Sequence, residues 1–153
     1  MKSFEDLRIW QEARVFANQI YDLSENMRDF GFKDQIQRAA LSVMNNIAEG
    51  FDYGSDAMFI KYLDISKASC GEVKSMLYLA EDRKYCDSEK AKYLREKSKS
   101  ISSGIHALIK YLKNKKIKNN IKNEVRIQTS INRMLFLSSV VCCPPSTKYE
   151  NII

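Results

Sequence analysis

The distribution of proline constrains the fold of this chain more than any other feature. The sequence has 153 residues and only two prolines, Pro144 and Pro145, which stand side by side near its end. Proline interrupts a helix because its ring removes a backbone donor and clashes with the preceding turn. Residues 1–143 contain no such interruption, and the whole sequence has only five glycines. This scarcity of helix breakers predicts an all-α fold.

Apolar residues recur every three or four positions in four segments separated by short polar turns. This period places them on one face of a helix. The four predicted helices cover residues 6–25, 33–50, 56–82 and 88–113. Connections of only a few residues make neighbouring helices run antiparallel. We therefore predict that residues 1–113 form an antiparallel up-and-down four-helix bundle domain.

Polar residues and glycine mark the expected ends of these helices. Ser3 and Ser55 stand where an N-cap hydroxyl would accept a hydrogen bond from the first turn. Gly50 stands where a left-handed C-cap would end the second helix. The turn before that helix is expected to extend through Phe32.

The second predicted helix is apolar over more of its circumference than one contact face requires. Beside its main stripe it carries a second stripe formed by Leu41, Met44, Ala48 and Phe51. Exposed contiguous apolar stripes mark contact sites. Either the partner helices of the bundle or a neighbouring subunit could cover this stripe, and we favour a subunit in a ring-like homo-oligomer.

Positive charge is concentrated at the end of the chain. Residues 1–113 contain 18 Lys and Arg against 17 Asp and Glu, whereas residues 114–153 contain 7 against 2. We predict a basic tail over residues 114–153, partly disordered or docked on the bundle. Its first residues, 115–120, could extend the fourth helix but lack a sustained apolar face. Its apolar run from Met134 to Cys143 is about half the length that a membrane-spanning helix needs. No membrane partner is therefore expected.

The fourth predicted helix carries a cluster of lysines that suits a polyanionic partner. Lys92, Arg95 and Lys99 are three and four residues apart, so they share one helix face. We interpret a larger basic set as a nucleic-acid contact surface: Lys92, Arg95, Lys99, Lys110, Lys113, Lys115 and Lys116. The alternative is a solvated face that keeps the protein soluble.

The sequence offers no recognisable set of catalytic or metal-binding residues. His106 is the only histidine, so no mechanism that needs two is available. The four cysteines show neither a zinc spacing nor a disulfide framework. The start of the sequence is polar and lacks the apolar segment of a signal peptide. We expect a cytoplasmic protein that is not an enzyme and uses no cofactor or metal.

Three groups of residues give the chain a family resemblance. They are Phe4-Glu5-Asp6-Leu7 with Trp10-Gln11, then residues 35–50, and finally Ser69-Cys70-Gly71-Glu72-Val73. The most specific part is the run Ser42-Val43, Asn46-Ile47-Ala48-Glu49-Gly50. Over residues 3–113 the sequence resembles the four-helix bundle family named for proteins encoded in 23S rRNA intervening sequences.

This resemblance implies a ring-forming, usually pentameric bundle of bacterial type. It also implies a relative that serves diversity-generating retroelements as an accessory protein, where a basic surface meets nucleic acid and a reverse transcriptase. No enzymatic activity is implied. The family motif is expected to be structural, through Arg38, Ser42, Asn46, Glu49, Gly50, Ser69 and Glu72.

Two motif residues need partners because they lie near the negative end of the second helix. We expect Asn46 to form a hydrogen bond to the first or third helix. Glu49 is expected to pair with Arg14, Arg38 or a neighbouring subunit. For the whole chain, two hypotheses remain: an oligomer that binds RNA or DNA without sequence specificity, and a scaffold that binds another protein.

Overall fold

The computed structural model describes the backbone of residues 3–140 and the side chains of residues 3–118 and 120–132. Four α-helices follow one another along this part of the chain: α1 (Arg8–Ser24), α2 (Phe30–Asp52), α3 (Asp56–Asp82) and α4 (Ser88–Val140). The described residues include no β-strand. The prediction of an all-α fold is confirmed.

The chain enters α1 through a short 3-10 helix at Phe4–Asp6. Ser3 makes no capping hydrogen bond with its side chain, so the predicted cap is wrong. The physical reason lies at Leu7, whose backbone is extended and whose side chain is buried in the core. This anchor separates the 3-10 turn from α1, and the ring of Phe4 packs edge-on against Trp10 with centroids 5.0 Å apart.

Both ends of α2 differ from the sequence prediction. The helix begins at Phe30 because the Asp29 carboxylate accepts a hydrogen bond from the Phe32 amide, with 3.1 Å between the two atoms. It ends at Asp52 rather than at Gly50. The left-handed position belongs to Gly54, whose φ is 75°.

The starts of α3 and α4 are both capped by side chains. The Ser55 hydroxyl accepts a hydrogen bond from the Met58 amide at 3.3 Å, which confirms Ser55 as an N-cap. The Asp87 carboxylate accepts a hydrogen bond from the Lys90 amide at 2.7 Å and caps α4 in the same way.

Side-chain contacts show that sequential helices run antiparallel. Gln37 of α2 donates a hydrogen bond to the Ser24 hydroxyl at the end of α1, at 2.7 Å. Ser66 of α3 donates to the Val43 carbonyl of α2 at 2.7 Å. Ser98 of α4 donates to the Cys70 carbonyl of α3 at 2.8 Å. These bonds place α3 between α2 and α4 and confirm the four-helix bundle.

The apolar faces of the helices meet in one core. Its largest fully buried side chains come from every helix of the bundle, and they include Phe16, Ile20, Ile36, Ile47, Leu63, Leu77, Leu94, Ile101 and Ile105. The predicted three- and four-residue spacing thus identified the core positions. Burial of these side chains supplies the main stabilisation of the bundle.

Residue contacts divide the chain into two units, residues 1–114 and residues 115–153. The first unit is the bundle. In the second, α4 continues as helix through Val140, past the predicted fourth helix over residues 88–113. Residues 114–140 include no proline or glycine, so the helix continues through them without losing a backbone bond.

The side chains described between residues 115 and 132 are all exposed. The apolar run from Met134 to Cys143, in the tail that was predicted to be partly disordered or docked, lies outside the residues whose side chains are described. Within the described part of the chain, no helix is both long and apolar enough to cross a membrane.

Candidate nucleic-acid interface

Four of the predicted basic residues form one exposed face on the bundle part of α4. Lys92, Lys99, Lys110 and Lys113 are seven, eleven and three residues apart, and a helix rotates by about 100° per residue. This spacing keeps all four within one side of the helix, and each of them is exposed. We call these four residues the α4 lysine face.

Arg95 lies on the same side of α4, but its guanidinium forms an ion pair within the bundle. Its side chain is only 12% exposed, and its Nη1 atom lies 2.5 Å from the Glu81 carboxylate of α3. The guanidinium also stacks over the Tyr78 ring, 4.2 Å from the ring centroid. A hydrogen bond from the Ser88 hydroxyl, and then one from Arg95, hold the pKa of Glu81 below its ordinary value. Glu81 thus stays charged and neutralises Arg95.

The remaining two predicted basic residues lie in the second unit. Lys115 and Lys116 are exposed on the continuation of α4. These two lysines therefore belong to a different unit from the α4 lysine face.

Two lysines of α3 were not included in the predicted basic surface. Lys67 and Lys74 line a cleft between α3 and α4 together with Lys99. They are seven residues apart and share a helix side with Gly71. This spacing was visible in the sequence, but its importance depends on the antiparallel pairing of α3 with α4.

Two of the four residues of the predicted oligomer contact line a groove between α1 and α2. Leu41 and Met44 line this groove, whose volume is about 310 Å³, opposite Trp10, Arg14 and Tyr21. All members of the predicted stripe are half-buried within their own chain: Leu41, Met44, Ala48 and Phe51. Met44 and Phe51 also pack against the core. The chain itself therefore covers part of the stripe, and Leu41 is the member most clearly left at the groove.

Hydroxyl and amide groups of the family motif form a chain of hydrogen bonds from α2 to α3. Asn46 donates to the Ser42 hydroxyl at 3.0 Å, and the hydroxyls of Ser42 and Ser69 lie 2.9 Å apart. Ser69 donates to the Ile65 carbonyl at 3.1 Å, so Ser42 acts as the donor to Ser69. Asn46 thus binds within its own helix, and the expected direct bond to the first or third helix is wrong.

The charged motif residues also bind within the bundle. The Tyr62 hydroxyl donates to Glu49 at 2.9 Å, and this bond raises the pKa of Tyr62. Glu49 therefore pairs with a tyrosine rather than with Arg14 or Arg38. The two predicted arginine partners are wrong because α3 brings Tyr62 beside this turn, whereas pairing with a neighbouring subunit stays a prediction. Arg38 instead pairs with Asp34 at 2.9 Å.

Glu72 and Gly50 complete the motif at the α2–α3 contact. The Gln35 amide donates a hydrogen bond to the Glu72 carboxylate. Gly50 is buried inside α2, where an added Cβ would lie 2.6 Å from the Tyr62 Cβ. Gly50 is therefore required for close helix approach, and its predicted role as a left-handed cap is wrong.

His106 and Cys70 are described residues of types that take part in catalysis in many enzymes. His106 is exposed on α4. Burial raises the pKa of the Cys70 thiol to about 12, which keeps it neutral at physiological pH. No group of three or more metal-ligating side chains occurs among the residues that the structure describes.

Comparisons with known proteins agree with this architecture. Residues 5–107 match the family described as 23S rRNA-intervening sequence protein. The chain is also similar to the solved structure of a protein with unknown function from the S23 ribosomal protein family of Bacteroides thetaiotaomicron. The two are 25% identical with a TM-score of 0.64, over 67% of this chain and 98% of that chain. No curated protein matches. Because the family match covers more than half of the chain and extends from before α1 into α4, the chain belongs to the 23S rRNA-intervening sequence protein family.

Proposed function

We propose that this protein is a non-enzymatic, cytoplasmic homo-oligomer that binds RNA or DNA without sequence specificity. The observation that carries the proposal is the α4 lysine face. Its four lysines are exposed, and none of them forms an ion pair among the described residues. Such a row of exposed lysines outside ion pairs suits the phosphate backbone of a nucleic acid.

Binding through lysines alone explains why no sequence preference is expected. Lysine acts on phosphate as a point charge, whereas base recognition needs groups that reach the base edges or stack on the bases. Neutralising phosphates releases condensed counter-ions, so affinity falls steeply with salt. The proposed binding should therefore be similar for RNA and DNA and weak at high salt.

Oligomerisation would multiply this weak contact. The α1–α2 groove with Leu41 and Met44 supports a subunit contact, and the family resemblance favours a pentameric ring. A ring repeats the α4 lysine face in each subunit, and several linked weak contacts bind a long strand with higher avidity than one.

Charge reversal on the α4 lysine face tests this function. We expect K99E/K110E to lose most binding to a fluorescent single-stranded RNA in anisotropy measurements at low salt. The matched control is R28E/K61E, which alters two exposed basic residues on other parts of the bundle and lowers the net charge equally. Equal binding by the two double variants would contradict a specific role for the α4 lysine face. No binding by the unaltered protein at low salt would contradict the function itself.

The second candidate function is a protein-binding scaffold. The observation that favours it is again the α1–α2 groove, where apolar Trp10 and Leu41 lie beside the charged Arg14. Purification from cells after nuclease treatment separates the two functions. A scaffold should retain one protein in stoichiometric amount, and Leu41→Lys should release it, whereas a nucleic-acid-binding oligomer should retain only copies of itself.

A further inference from the structure

A cleft of about 340 Å³ between α3 and α4 brings together three lysines from two helices. Lys67 and Lys74 lie on α3, and Lys99 lies on α4. The serines Ser102 and Ser103 of α4 add two hydroxyl groups to the same lining. None of the lining residues is acidic, and none is aromatic.

The lysines of this cleft are not held in ion pairs by the described part of the bundle. Across the described side chains, Lys67, Lys74 and Lys99 take part in no ion pair. Three like charges around one concave surface repel one another and raise the local positive potential. An anion in the cleft would relieve this repulsion. This is the opposite of the situation at Arg95, whose charge Glu81 already neutralises.

The floor of the cleft is open, and its residues carry no negative charge that would repel an anion. The buried Ser98 hydroxyl donates to the Cys70 carbonyl at 2.8 Å, so this donor is already satisfied. The raised pKa of Cys70 keeps its thiol neutral. At Gly71 an added Cβ would meet no atom within 4 Å, so the absent side chain leaves the cleft open.

The chemistry of the lining selects phosphate over a nucleobase. Lysine ammonium groups and serine hydroxyls are donors that suit phosphate oxygens. A base-binding site would need aromatic rings for stacking, which this lining lacks. The volume lies at the lower end of the range for small-ligand sites, about 300–1,000 Å³, and is sufficient for phosphate groups with their water.

We propose that the α3–α4 cleft is a phosphate-binding site that holds backbone phosphates of the bound nucleic-acid strand. This inference rests on the proposed function and names the place where the strand is held most closely. Lys99 belongs to both the cleft and the α4 lysine face. A strand that follows the exposed lysines of α4 therefore reaches Lys67 and Lys74 at the same point.

The first test compares salt dependence in the full chain. In K67Q/K74Q, two phosphate contacts should be lost, so the slope of log affinity against log salt for single-stranded RNA should fall by about 1.4. The control R28Q/K61Q removes the same charge elsewhere and should keep the original slope. All four side chains point to solvent at least in part, so both variants should fold. Equal slopes and affinities for the two variants would overturn the inference.

The second test uses pyrophosphate and does not depend on nucleic-acid binding. Titration should shift the amide NMR signals of Gly71, Ser102 and Ser103 in the unaltered protein. Gly71→Glu places a carboxylate in the cleft, where space for it exists, and should abolish these shifts. Shifts confined to other regions, or unchanged by Gly71→Glu, would overturn the inference.

The two tests distinguish failure of the cleft from failure of the function. If RNA binds but neither cleft variant alters binding and pyrophosphate gives no cleft shifts, the inference fails and the proposed function stands. If RNA does not bind at any salt while pyrophosphate shifts the cleft amides, the proposed function fails and the phosphate site stands.

Discussion

At the scale of single residues, two helical glycines show how differently one missing side chain can act. Gly50 is buried, and an added Cβ would lie 2.6 Å from the Tyr62 Cβ and 3.0 Å from the Phe59 ring. The Tyr62 Cβ is attached directly to the backbone, so it cannot rotate away. Gly71, by contrast, faces open space.

We therefore predict opposite effects of alanine at the two positions. Overpacking costs about 1–3 kcal/mol, whereas exchanging glycine for alanine within a helix gains at most about 1 kcal/mol. Gly50→Ala should lower the free energy of unfolding, and Gly71→Ala should raise it by up to about 1 kcal/mol. Urea unfolding followed by circular dichroism measures both. A stabilised Gly50→Ala variant would contradict the close approach of α2 and α3.

Gly50 illustrates what the sequence alone could predict. The family motif indicated that Gly50 matters, and the capping rules assigned it the end of α2. The reason for its importance is a contact with α3, which lies outside the local sequence. Glu49 is similar, because its partner Tyr62 becomes visible only when the two helices are placed side by side.

Thiol reactivity gives a second prediction at this scale. Burial raises the pKa of Cys70 to about 12, while Cys86 is only half-buried and its pKa is raised less. The reactive form of cysteine is the thiolate, so a higher pKa means slower alkylation at a given pH. In a C142S/C143S background, iodoacetamide at pH 8 should label Cys86 and leave Cys70 intact.

Mass spectrometry of peptides measures this labelling. Cys70 should react more readily as the pH rises toward its pKa, because the thiolate fraction then grows. Urea should make the two cysteines equally reactive, which serves as the control. Equal labelling without urea would show that the α3–α4 contact around Cys70 opens readily.

At the scale of elements, the four helices were predictable because period and turn spacing are local properties. The starts of α3 and α4 followed from side-chain caps. The start of α1 did not, because the burial of Leu7 overrides the cap at Ser3. The continuation of α4 was left open because the residues after 114 lack a sustained apolar face, although they also lack the proline or glycine that would end a helix.

Truncation tests whether the two units are independent. The buried core cluster extends from Leu7 to Leu112, so a chain that ends at Asn114 retains all its described members. We expect the truncated protein to keep the melting temperature of the full chain within a few degrees. Its helical circular dichroism per molecule should fall, because the helical residues after 114 are removed.

A marked fall in the melting temperature would contradict this independence. The control is a truncation before Leu112, for example after Ile109, which removes a core side chain and should destabilise the bundle. The comparison therefore separates loss of helix from loss of core.

At the scale of the whole molecule, the sequence indicated four of the six lysines of the candidate site and left out Lys67 and Lys74. Lys92, Lys99, Lys110 and Lys113 belong to one helix, so their common face follows from helix geometry. The α3–α4 cleft combines two helices that pair through Ser98 and Cys70, and its two α3 lysines were therefore missed. Arg95 was included in the predicted basic surface because of its charge, although it forms an ion pair with Glu81 within the bundle.

Self-association is also a property of the whole molecule, and a substitution at Leu41 tests it directly. Leu41 lines the α1–α2 groove, and it is half-buried without belonging to the core cluster. A lysine there should leave the core intact but place an unpaired charge in the proposed subunit contact, which is costly. We expect light scattering to give an oligomeric mass for the unaltered protein and a mass near 17.7 kDa for Leu41→Lys.

The matched control is Leu79→Lys, the same change at a more exposed leucine of α3. It should keep the oligomeric mass, because it lies away from the α1–α2 groove. A monomeric mass for the unaltered protein would remove the avidity that a ring provides. Each α4 lysine face would then act alone, and the salt dependence measured for a single chain would describe the complete binding reaction.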